Sequence, residues 1–354
     1  IEILNMTIGF VVNDVNTEKP THTTIFLAQR MHNMGHTVLL MGVGDLAYYP
    51  DGYMGATAAI ADSKHKYKSP ATYLEAIQSG KLKRVRVTAP ELDVLMLRND
   101  PSSEGEGRGW AQNAGIIFGQ LALRHGVIVL NDPTSLSDAV NKMYFQHFPE
   151  AVRPRTLITR DKDEIKEFFH EQKNNIILKP LQGSGGSGVF LVKKNDATNL
   201  NQIVEAISRD GYVIAQEYLP QASEGDVRLF VVNGEALQYK GKYCAMRRVN
   251  SKDDIRSNIH VGGSAVAAKV DQTMLDLVEL VRPKLIQDGM FMVGLDIVGN
   301  KLMEINVFSP GGMPTAGELE GVDFSIPVIE ALERKVHYKN TYGTQIDNKT
   351  VAMI

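Results

Sequence analysis

Residues 294–310 of the chain, GLDIVGNKLMEINVFSP, decide the fold of its last third. Two apolar runs with β-branched residues, 295–298 and 302–307, flank the pair Gly299-Asn300, which is typical of a turn. We therefore predict a β-hairpin over this stretch.

Three oxygen-bearing side chains lie on the predicted hairpin. Side chains alternate along a strand, so Glu304 and Asn306 point to the same face. A three-residue loop at 299–301 with a bulge puts Asp296 opposite Glu304, whereas a strict two-residue turn puts it on the other face. Two carboxylates and an amide oxygen suit a hard cation such as Mg²⁺, so we predict the bulge and a metal site shared with substrate phosphates. The alternative is a hairpin with a solvated outer face.

Length and composition limit the classes of protein. The 354 residues can form two or three compact domains. A net charge of −3 gives no reason to expect nucleic acid or an anionic membrane as partner. Cys244 is the single cysteine, which excludes internal disulfides and fits a cytoplasmic protein. No apolar run approaches the ~20 residues of a membrane span, and the first residues read as a strand, not as a signal peptide.

Strands and helices alternate in the first third of the chain. The apolar patterns predict strands at residues 7–12, 37–43, 94–97 and 127–130, and helices at 23–33 and 114–125. This alternation favours parallel βαβ units. The turn-forming residues Asn131-Asp132-Pro133 then interrupt this alternation, and we predict the first domain boundary there.

The rest of the chain has a different pattern. We predict helices at residues 161–171, 199–207, 271–287 and 326–335, and strands at 175–179, 189–193, 213–218, 227–232 and 235–240. Asn233-Gly234 joins the last two strands and is a strong hairpin signal. The predicted fold class is therefore α/β followed by α+β.

Residues 181–188, LQGSGGSG, form a glycine-rich loop. A strand follows the loop where a dinucleotide-binding fold requires a helix, and no Lys-Ser or Lys-Thr pair follows as in a P-loop. A strand, a flexible loop and a strand remain, and the backbone N–H groups of such a loop can close over phosphates. The candidate phosphate-binding residues are Lys179, at the mouth of the loop, and Gly183, Ser184, Gly185 and Gly186. A merely flexible turn is the alternative.

Two further stretches carry candidate binding groups. Residues 216–220, QEYLP, end a strand, where backbone groups can pair with an adenine edge, and Asp226 could accept from ribose hydroxyls. A basic set suits a carboxylate or an acyl phosphate, because guanidinium groups bind planar anions bidentately; it comprises Arg228, Arg247, Arg248 and Arg256, with Asn258 beside them. The alternatives are an ordinary strand end and a solvated loop. Cys244 and the nine histidines show no ligand spacing.

Several of these motifs resemble one family. KPLQGSGGSGVFLV, QEYLP, RLFVVNGE, RSNIHVGG and GLDIVGNKLMEINVFSP stand in the same order as in the prokaryotic glutathione synthetases of the ATP-grasp superfamily. Upstream, LRNDP at 97–101 and NDPTSLSDAVNKMYFQHF at 131–148 are also similar to that family. The resemblance runs from residue 7 to about residue 334.

The resemblance implies an ATP-grasp fold, with ATP between two antiparallel sheets. It implies an N-terminal α/β domain, a mobile ATP lid, a catalytic domain and a short tail, at residues 1–130, 131–219, 220–340 and 341–354. It also implies roles for single residues. Phosphates would contact Lys142 and Lys179, adenine would contact the backbone at Glu217 to Leu219 including Tyr218, and ribose would contact Asp226. Mg²⁺ or Mn²⁺ would bind Asp296, Glu304 and Asn306, and the acceptor and its intermediates would bind Arg228, Arg248, Arg256 and Asn258.

The implied function is an ATP- and Mg²⁺-dependent carboxylate–amine ligase that joins γ-glutamylcysteine and glycine through an acyl phosphate. The implied partners are these small molecules and, as is frequent in the family, further copies of the chain. The sequence departs from the best-known members after Ser309-Pro310, where it continues GGMPTAGELEGVDFS. The acceptor peptide should lie there, so the alternatives are a ligase with another peptide or amino acid as substrate, and a non-catalytic nucleotide-binding module.

Overall fold

The computed structural model describes residues 5–105, 107–183, 188–249 and 264–354. Its strands form three main sheets, which follow one another along the chain. The first is a mixed sheet, and the second and third are antiparallel.

Four strands of the first sheet are parallel, as predicted. They lie in the order β2-β1-β6-β7 and comprise β1 (Thr7–Val12), β2 (Thr37–Gly42), β6 (Val94–Leu97) and β7 (Ile128–Leu130). Helices α1 (Thr23–Met34) and α3 (Ala114–Leu123) lie between them along the chain. Helix α1 ends at Gly35, whose φ of +104° is the left-handed conformation that glycine adopts without strain. The predicted βαβ arrangement is confirmed.

The sequence patterns missed one side of this sheet. Three further strands extend it in antiparallel fashion beyond β2, namely β3 (Leu46–Tyr48), β4 (Met54–Ile60) and β5 (Arg84–Thr88). Helix α2 (Pro70–Gln78) connects β4 and β5, and α4 (Pro133–Asp138) follows β7. Strand β4 reads MGATAAI, and its alanines and glycine lack the β-branched side chains that mark strands in sequence.

The second sheet has the order β10-β9-β11-β8. Its strands are β8 (Thr156–Thr159), β9 (Asn175–Pro180), β10 (Phe190–Lys193) and β11 (Val213–Glu217). Helices α5 (Lys162–Glu171) and α6 (Leu200–Ser208) pack against it. All of these elements except β8 were predicted.

The third sheet has the order β17-β16-β12-β18-β19. Its strands are β12 (Asp226–Val232), β13 (Glu235–Ala236), which pairs with β12, β16 (Ala245–Val249), β17 (Ser264–Ala267), β18 (Met292–Val298) and β19 (Lys301–Asn306). Both turn residues between β12 and β13, Asn233 and Gly234, have positive φ, so the predicted hairpin is confirmed. The predicted strand at 235–240 is split, because β14 (Gln238–Tyr239) leaves the sheet and pairs with β15 (Lys242–Tyr243).

Four helices complete this half of the chain. They are α7 (Gln272–Gln287), α8 (Met313–Glu320), α9 (Ser325–Tyr342) and α10 (Asn348–Ala352). Helices α7 and α9 confirm the predicted helical segments, and α9 continues beyond the predicted end. No described helix is long and apolar enough to cross a membrane.

The apolar cores divide the molecule unevenly. The second sheet has a core of its own, built from α5, α6 and the inner face of its strands. The first and third sheets instead share two cores; one of them contains both Leu95 of β6 and Leu295 of β18. The second sheet is therefore a separate packing unit, whereas the first and third sheets form one body.

Asn131, in the predicted domain boundary, is buried at the junction of that body. Its side-chain amide donates to the carbonyls of Met292 (3.1 Å) and Val307 (2.6 Å), and its Oδ1 accepts from the Met292 N–H at 3.0 Å. Three hydrogen bonds thus join the end of the first sheet to β18 and the segment after β19. The domain boundary at this point stays a prediction. The hydrogen bonds of Asn131 hold the chain in place there.

Candidate active site

The β18–β19 hairpin holds the predicted metal-binding residues. Val298 pairs with Lys301, so the turn has two residues, and the predicted three-residue loop is wrong. The predicted bulge is present further along, because Met303 has no partner between the Leu302 and Glu304 pairs. That extra residue brings Asp296 opposite Glu304, as the sequence pattern required.

Asp296 is the centre of a buried group of four charges, which we call the arginine–aspartate cluster: Arg228, Arg248, Asp226 and Asp296. Arg228 holds Asp296 bidentately, with Nε–Oδ1 at 2.5 Å and a second bond at 2.9 Å. Arg248 contacts Asp296 at 2.9 Å and also binds Asp226 through Nε, at 3.1 and 3.2 Å, and through a terminal nitrogen. Two arginines therefore compensate two carboxylates.

The register of the third sheet assembles this cluster. Arg228 lies opposite Asp296 on β18, and Asp226 lies opposite Arg248 on β16. Burial alone would raise the pKa of Asp296, but the charges of the two arginines outweigh it and hold that pKa far below its usual range. Burial likewise opposes the charge of Arg248, yet the two carboxylates raise its pKa. Asp296 and Arg248 therefore stay charged at any physiological pH.

A second group of charges, the lysine–glutamate cluster, comprises Lys142, Lys179 and Glu304. Lys142 Nζ donates to Glu304 Oε1 at 2.5 Å, and Lys179 Nζ donates to Gln216 Oε1 at 3.1 Å. The backbone N–H of Lys142 also donates to the Leu181 carbonyl at 3.0 Å. This hydrogen bond holds the segment after α4 against the end of β9. Two lysines here face one carboxylate.

The pKa values of this cluster reflect that imbalance. Burial and the charge of Lys142 lower the pKa of Lys179 to about 8, and Glu304 only partly opposes them. Burial would also lower the pKa of Lys142, but the ion pair with Glu304 raises it above its ordinary value. Glu304 itself has a lowered pKa, because Lys142 outweighs the effect of burial. An anion entering the pocket would raise the pKa of Lys179 again and so favour its protonated form.

A pocket opens onto this cluster between the second and third sheets. Lys142, Lys179, Gln216, Glu304 and Asn306 contribute its polar wall. Apolar side chains, among them Ile214, Met303 and Ile305, form much of the remainder. A pocket with an apolar wall and two lysines suits a ligand that has both a planar ring and phosphate groups.

The glycine-rich loop begins at the edge of this pocket. Gly183, which lines it, has a φ of +122°, and Gly188 at the far end has a φ of +70°. The loop joins β9 to β10, which confirms the strand–loop–strand arrangement. The predicted phosphate-binding residues Ser184, Gly185 and Gly186 lie outside the described residues.

The predicted adenine-binding residues end strand β11. The N–H of Glu217 donates to the Arg155 carbonyl at 2.9 Å, and the Glu217 carboxylate accepts from the Arg155 N–H at 2.7 Å. The N–H and the carboxylate of Glu217 are thus both bonded to Arg155, so an adenine ring at this edge would have to pair with other backbone groups. The backbone of Tyr218 and Leu219 follows, and Leu219 is buried. The adenine assignment of all three residues stays a prediction.

Of the four remaining predicted residues, the structure describes two, Asp226 and Arg247. Asp226, the predicted ribose ligand, lies in the arginine–aspartate cluster and is only 5% exposed. Arg247 lies on β16 opposite Val227 and alternates with Arg248, so it belongs to the other face. Arg256 and Asn258 lie outside the described residues.

Sequence reasoning missed three contributors to the site. The side chain of Gln216 holds Lys179, and Asp100 and Asn141 line the pocket. Asp100 follows β6, at the carboxyl end of a parallel strand, where α/β proteins place ligands; the segment LRNDP carried that signal. The hydrogen bond of Gln216 spans 37 residues, and no local pattern reports it.

The hairpin residues fit a divalent cation by their chemistry and proximity. Asp296 and Glu304 are cross-strand partners, and Asn306 Nδ2 donates to Asp296 Oδ2 at 3.2 Å, so three hard oxygen donors are neighbours. Among the residues that the structure describes, no group of three or more His, Cys, Asp or Glu side chains could hold a metal ion, and the hairpin itself offers two carboxylates and an amide. The hairpin is therefore the candidate metal site of the described chain.

Comparisons with known proteins agree with this geometry. The family model for the prokaryotic glutathione synthetase N-terminal domain matches residues 6–137, and the model for the ATP-grasp domain of the same family matches residues 141–321. Glutathione synthetase of Shewanella oneidensis is 31% identical over 334 residues, covering 92% of this chain and 96% of the relative. That of Gloeobacter violaceus is 31% identical over 330 residues, with the same coverage.

Solved structures share the fold at lower identity. D-cycloserine synthetase DcsG has a TM-score of 0.59 at 14% identity and covers 92% of this chain and 99% of its own. D-alanyl-alanine synthetase A from Vibrio cholerae has a TM-score of 0.55 at 12% identity, with 95% and 100% covered. The chain belongs to the prokaryotic glutathione synthetase family and is an ADP-forming ligase with the ATP-grasp fold.

Proposed function

We propose that this ligase makes glutathione from γ-glutamylcysteine, glycine and ATP. The observation that carries the proposal is the juxtaposition of the lysine–glutamate cluster, which has an excess of positive charge, with the three oxygen donors of the β18–β19 hairpin. A nucleotide triphosphate with a divalent cation fits both features at once. The family match over nearly the whole chain supports the choice of substrates.

Most of the predicted binding residues have a role in this proposal. Lys142 and Lys179 bind the phosphates of ATP, residues 217–219 receive the adenine, and Asp226 accepts from the ribose. Asp296, Glu304 and Asn306 would hold Mg²⁺ or Mn²⁺, which, when bound, offsets negative charge on the phosphoryl oxygens. The acceptor binds Arg228 and Arg248, and the family resemblance implies the same role for Arg256 and Asn258.

The reaction has two steps. A carboxylate oxygen of the dipeptide attacks the γ-phosphorus, the bond to the β-phosphate oxygen breaks, and ADP leaves an acyl phosphate behind. The glycine nitrogen then attacks the acyl carbon, and the tetrahedral intermediate expels inorganic phosphate as the nitrogen loses a proton. Arg228 and Arg248, fixed by their carboxylates, provide N–H groups toward developing oxyanions without reorganisation.

The departure after Ser309 touches this machinery directly. Gly311 accepts a hydrogen bond from Arg228 at 3.0 Å through its carbonyl. Gly312 has a φ of +108°, and a Cβ there would lie 2.2 Å from the terminal methyl of Met246. Gly312 is thus required by its backbone conformation and its packing, whereas a Cβ at Gly311 would meet open space. Because this departure from the family lies beside a predicted acceptor-binding arginine, the second candidate is a ligase with another dipeptide.

The test is ADP and phosphate release with ATP, Mg²⁺ and γ-glutamylcysteine, with and without glycine, and with mass analysis of the product. We expect glycine-dependent release and a product with the mass of glutathione. ATP binding without turnover, followed by turnover with another dipeptide, would replace the first candidate by the second. The cytoplasmic location, the homo-oligomer and the four domain ranges stay predictions.

A further inference from the structure

A second pocket lies at the carboxyl ends of β1 and β2, away from the lysines. We propose that it binds the α-amino and α-carboxylate groups of a γ-glutamyl head, so that it fixes the far end of the dipeptide whose other carboxylate is phosphorylated. This inference rests on the proposed function and adds a binding site to it. We call the site the head-group pocket.

The head-group pocket has a volume of about 350 Å³. Its polar lining includes the turn after β1 (residues 13–16), the turn after β2 with Asp45, and the side chains of Arg84 and Arg108. Strands β2 and β4 and the end of α2 contribute the remainder. The carboxyl ends of parallel strands are where open α/β sheets bind ligands. A dipeptide head group is small enough for this volume.

The charges of the pocket match a zwitterion. Two carboxylates, Asp14 and Asp45, and two guanidinium groups, Arg84 and Arg108, line it. A pocket for a phosphate would carry an excess of cations, and one for a metal ion an excess of carboxylates. An amino-acid head, with one ammonium and one carboxylate group, is the ligand that finds partners for both of its charges.

Each of these side chains keeps capacity for a ligand. A terminal nitrogen of Arg84 donates to Asp45 (3.0 Å) and to the Thr57 carbonyl (2.8 Å). Arg108 uses Nε for Glu104 at 2.7 Å and one terminal N–H for the Asn13 carbonyl at 3.2 Å. Each guanidinium thus has further N–H groups that can bind a carboxylate.

The same holds for the carboxylates. Asp14 accepts through Oδ1 from the Asn16 N–H at 2.8 Å, and its second oxygen can receive an ammonium. Asp45 Oδ2 accepts from the Gly42 N–H at 2.9 Å, which fixes this carboxylate at the rim. The pocket therefore presents both signs of charge on groups that the backbone holds in place.

One residue pair connects the head-group pocket to the active site. Asn13, in its lining, donates to the Asp100 carbonyl at 2.9 Å and accepts from the Asp100 N–H at 2.8 Å. Asp100 lines the pocket that contains Lys142 and Glu304. An extended γ-glutamyl dipeptide is about 10 Å long, and the proposal requires it to pass from one pocket across this pair to the other.

Trp110 offers a direct readout of occupancy, because it is the single tryptophan of the chain. Its ring lies 5.0 Å from the Arg108 guanidinium, and its Cη2 lies 3.6 Å from the position that a Cβ on Gly44 would take. Gly44 lines the head-group pocket. A ligand that pairs with Arg108 should change the fluorescence of this tryptophan.

The experiment titrates γ-glutamylcysteine into the ATP-free protein and follows Trp110 fluorescence, with isothermal calorimetry as second readout. It uses wild type, Arg84→Gln, Arg108→Gln and, as matched control, Arg86→Gln. Arg86 follows Arg84 by two residues on β5, is similarly exposed and also pairs with an aspartate, but it does not line the pocket. Two analogues are titrated as well, one lacking the α-carboxylate and one lacking the α-amino group.

We expect Arg84→Gln and Arg108→Gln each to raise the Kd for the dipeptide about 10-fold, with Arg86→Gln unchanged. Wild type should bind the analogue without the carboxylate about 10-fold more weakly, and the two pocket variants should lose that preference. Asp14→Asn should instead lose the preference for the amino group.

Two results would overturn the inference, and they differ in what else they overturn. Wild type that makes glutathione, with both pocket variants binding the dipeptide as wild type does, would reject the head-group pocket alone. Wild type that neither binds nor turns over γ-glutamyl dipeptides would reject the proposed function together with the pocket.

Discussion

The two charge clusters beside the β18–β19 hairpin differ in balance. In the arginine–aspartate cluster, two arginines compensate two carboxylates, all of them largely buried and joined by several short hydrogen bonds. In the lysine–glutamate cluster, two lysines share Glu304, and the uncompensated one, Lys179, has a pKa lowered to about 8.

The difference assigns a separate task to each cluster. A group with balanced, paired charges serves as a fixed frame that orients the two arginines and holds Asp296 at the candidate metal site. A group with an excess of positive charge at a pocket attracts an anion and gains from its arrival. The first cluster should therefore matter mainly for geometry and catalysis, and the second for the affinity for the phosphates of the nucleotide.

The largest expected effect follows from Asp296→Asn. The neutral amide removes a charged oxygen donor from the candidate metal site, and we expect kcat to fall about 1,000-fold. Steady-state ADP release at saturating ATP and Mg²⁺ measures this. Asp276→Asn, an exposed aspartate on α7, is the control and should keep full activity. Unchanged turnover in Asp296→Asn would remove this residue from the active site.

Asp226→Asn tests the balance of the first cluster through stability. The substitution leaves Arg248 buried with one carboxylate in place of two, so the free energy of unfolding should fall by about 3 kcal/mol. Urea denaturation measures it. The control is Asp163→Asn, which breaks an exposed ion pair with Lys166 and should change stability by less than about 0.5 kcal/mol. Equal losses in the two variants would contradict a role for the cluster as a frame.

A smaller effect should appear in the pH dependence of nucleotide binding. Lys179 binds phosphate in its protonated form, and its pKa of about 8 means that it loses the proton as the pH rises through that value. The affinity for metal-free ADP should therefore fall several-fold above pH 8, as measured by calorimetry. Arg at this position stays protonated, so Lys179→Arg should show a flatter profile. A wild-type affinity that rises with pH would contradict the assignment.

The sequence predicted the parts of the molecule that local patterns encode. The parallel strands of the first sheet, the Asn233-Gly234 turn and the pairing of Asp296 with Glu304 are confirmed. For the hairpin, we predicted a bulge because the metal site requires Asp296 on the same face as Glu304 and Asn306. The turn residues alone did not indicate it. The location of that bulge, at Met303 and not in the loop, was beyond such reasoning, because either placement restores the same register.

The parts that it did not predict depend on distant partners. In the sequence, Asn131 belongs to NDP, which indicates only a break between elements. Its hydrogen bonds, however, go to Met292 and Val307, which are 161 and 176 positions further along the chain. The basic set gave no sign that Arg228 and Arg248 hold the predicted metal ligand, since their partners lie on neighbouring strands. Charge and residue type predict which groups belong to a site, whereas their pairing is decided by the register of the sheet.

The separation of tasks is tested most directly by metal-free ADP binding to two variants side by side. The account predicts that Lys179→Met weakens ADP binding about 10-fold, and that Asp296→Asn, folded and measured without divalent cations, stays within about twofold of wild type. Lys193→Met, an exposed lysine on β10, controls for the loss of any lysine from the second sheet. Asp296→Asn losing as much ADP affinity as Lys179→Met, or Lys179→Met losing none, would contradict the assignment of the nucleotide to the lysine–glutamate cluster.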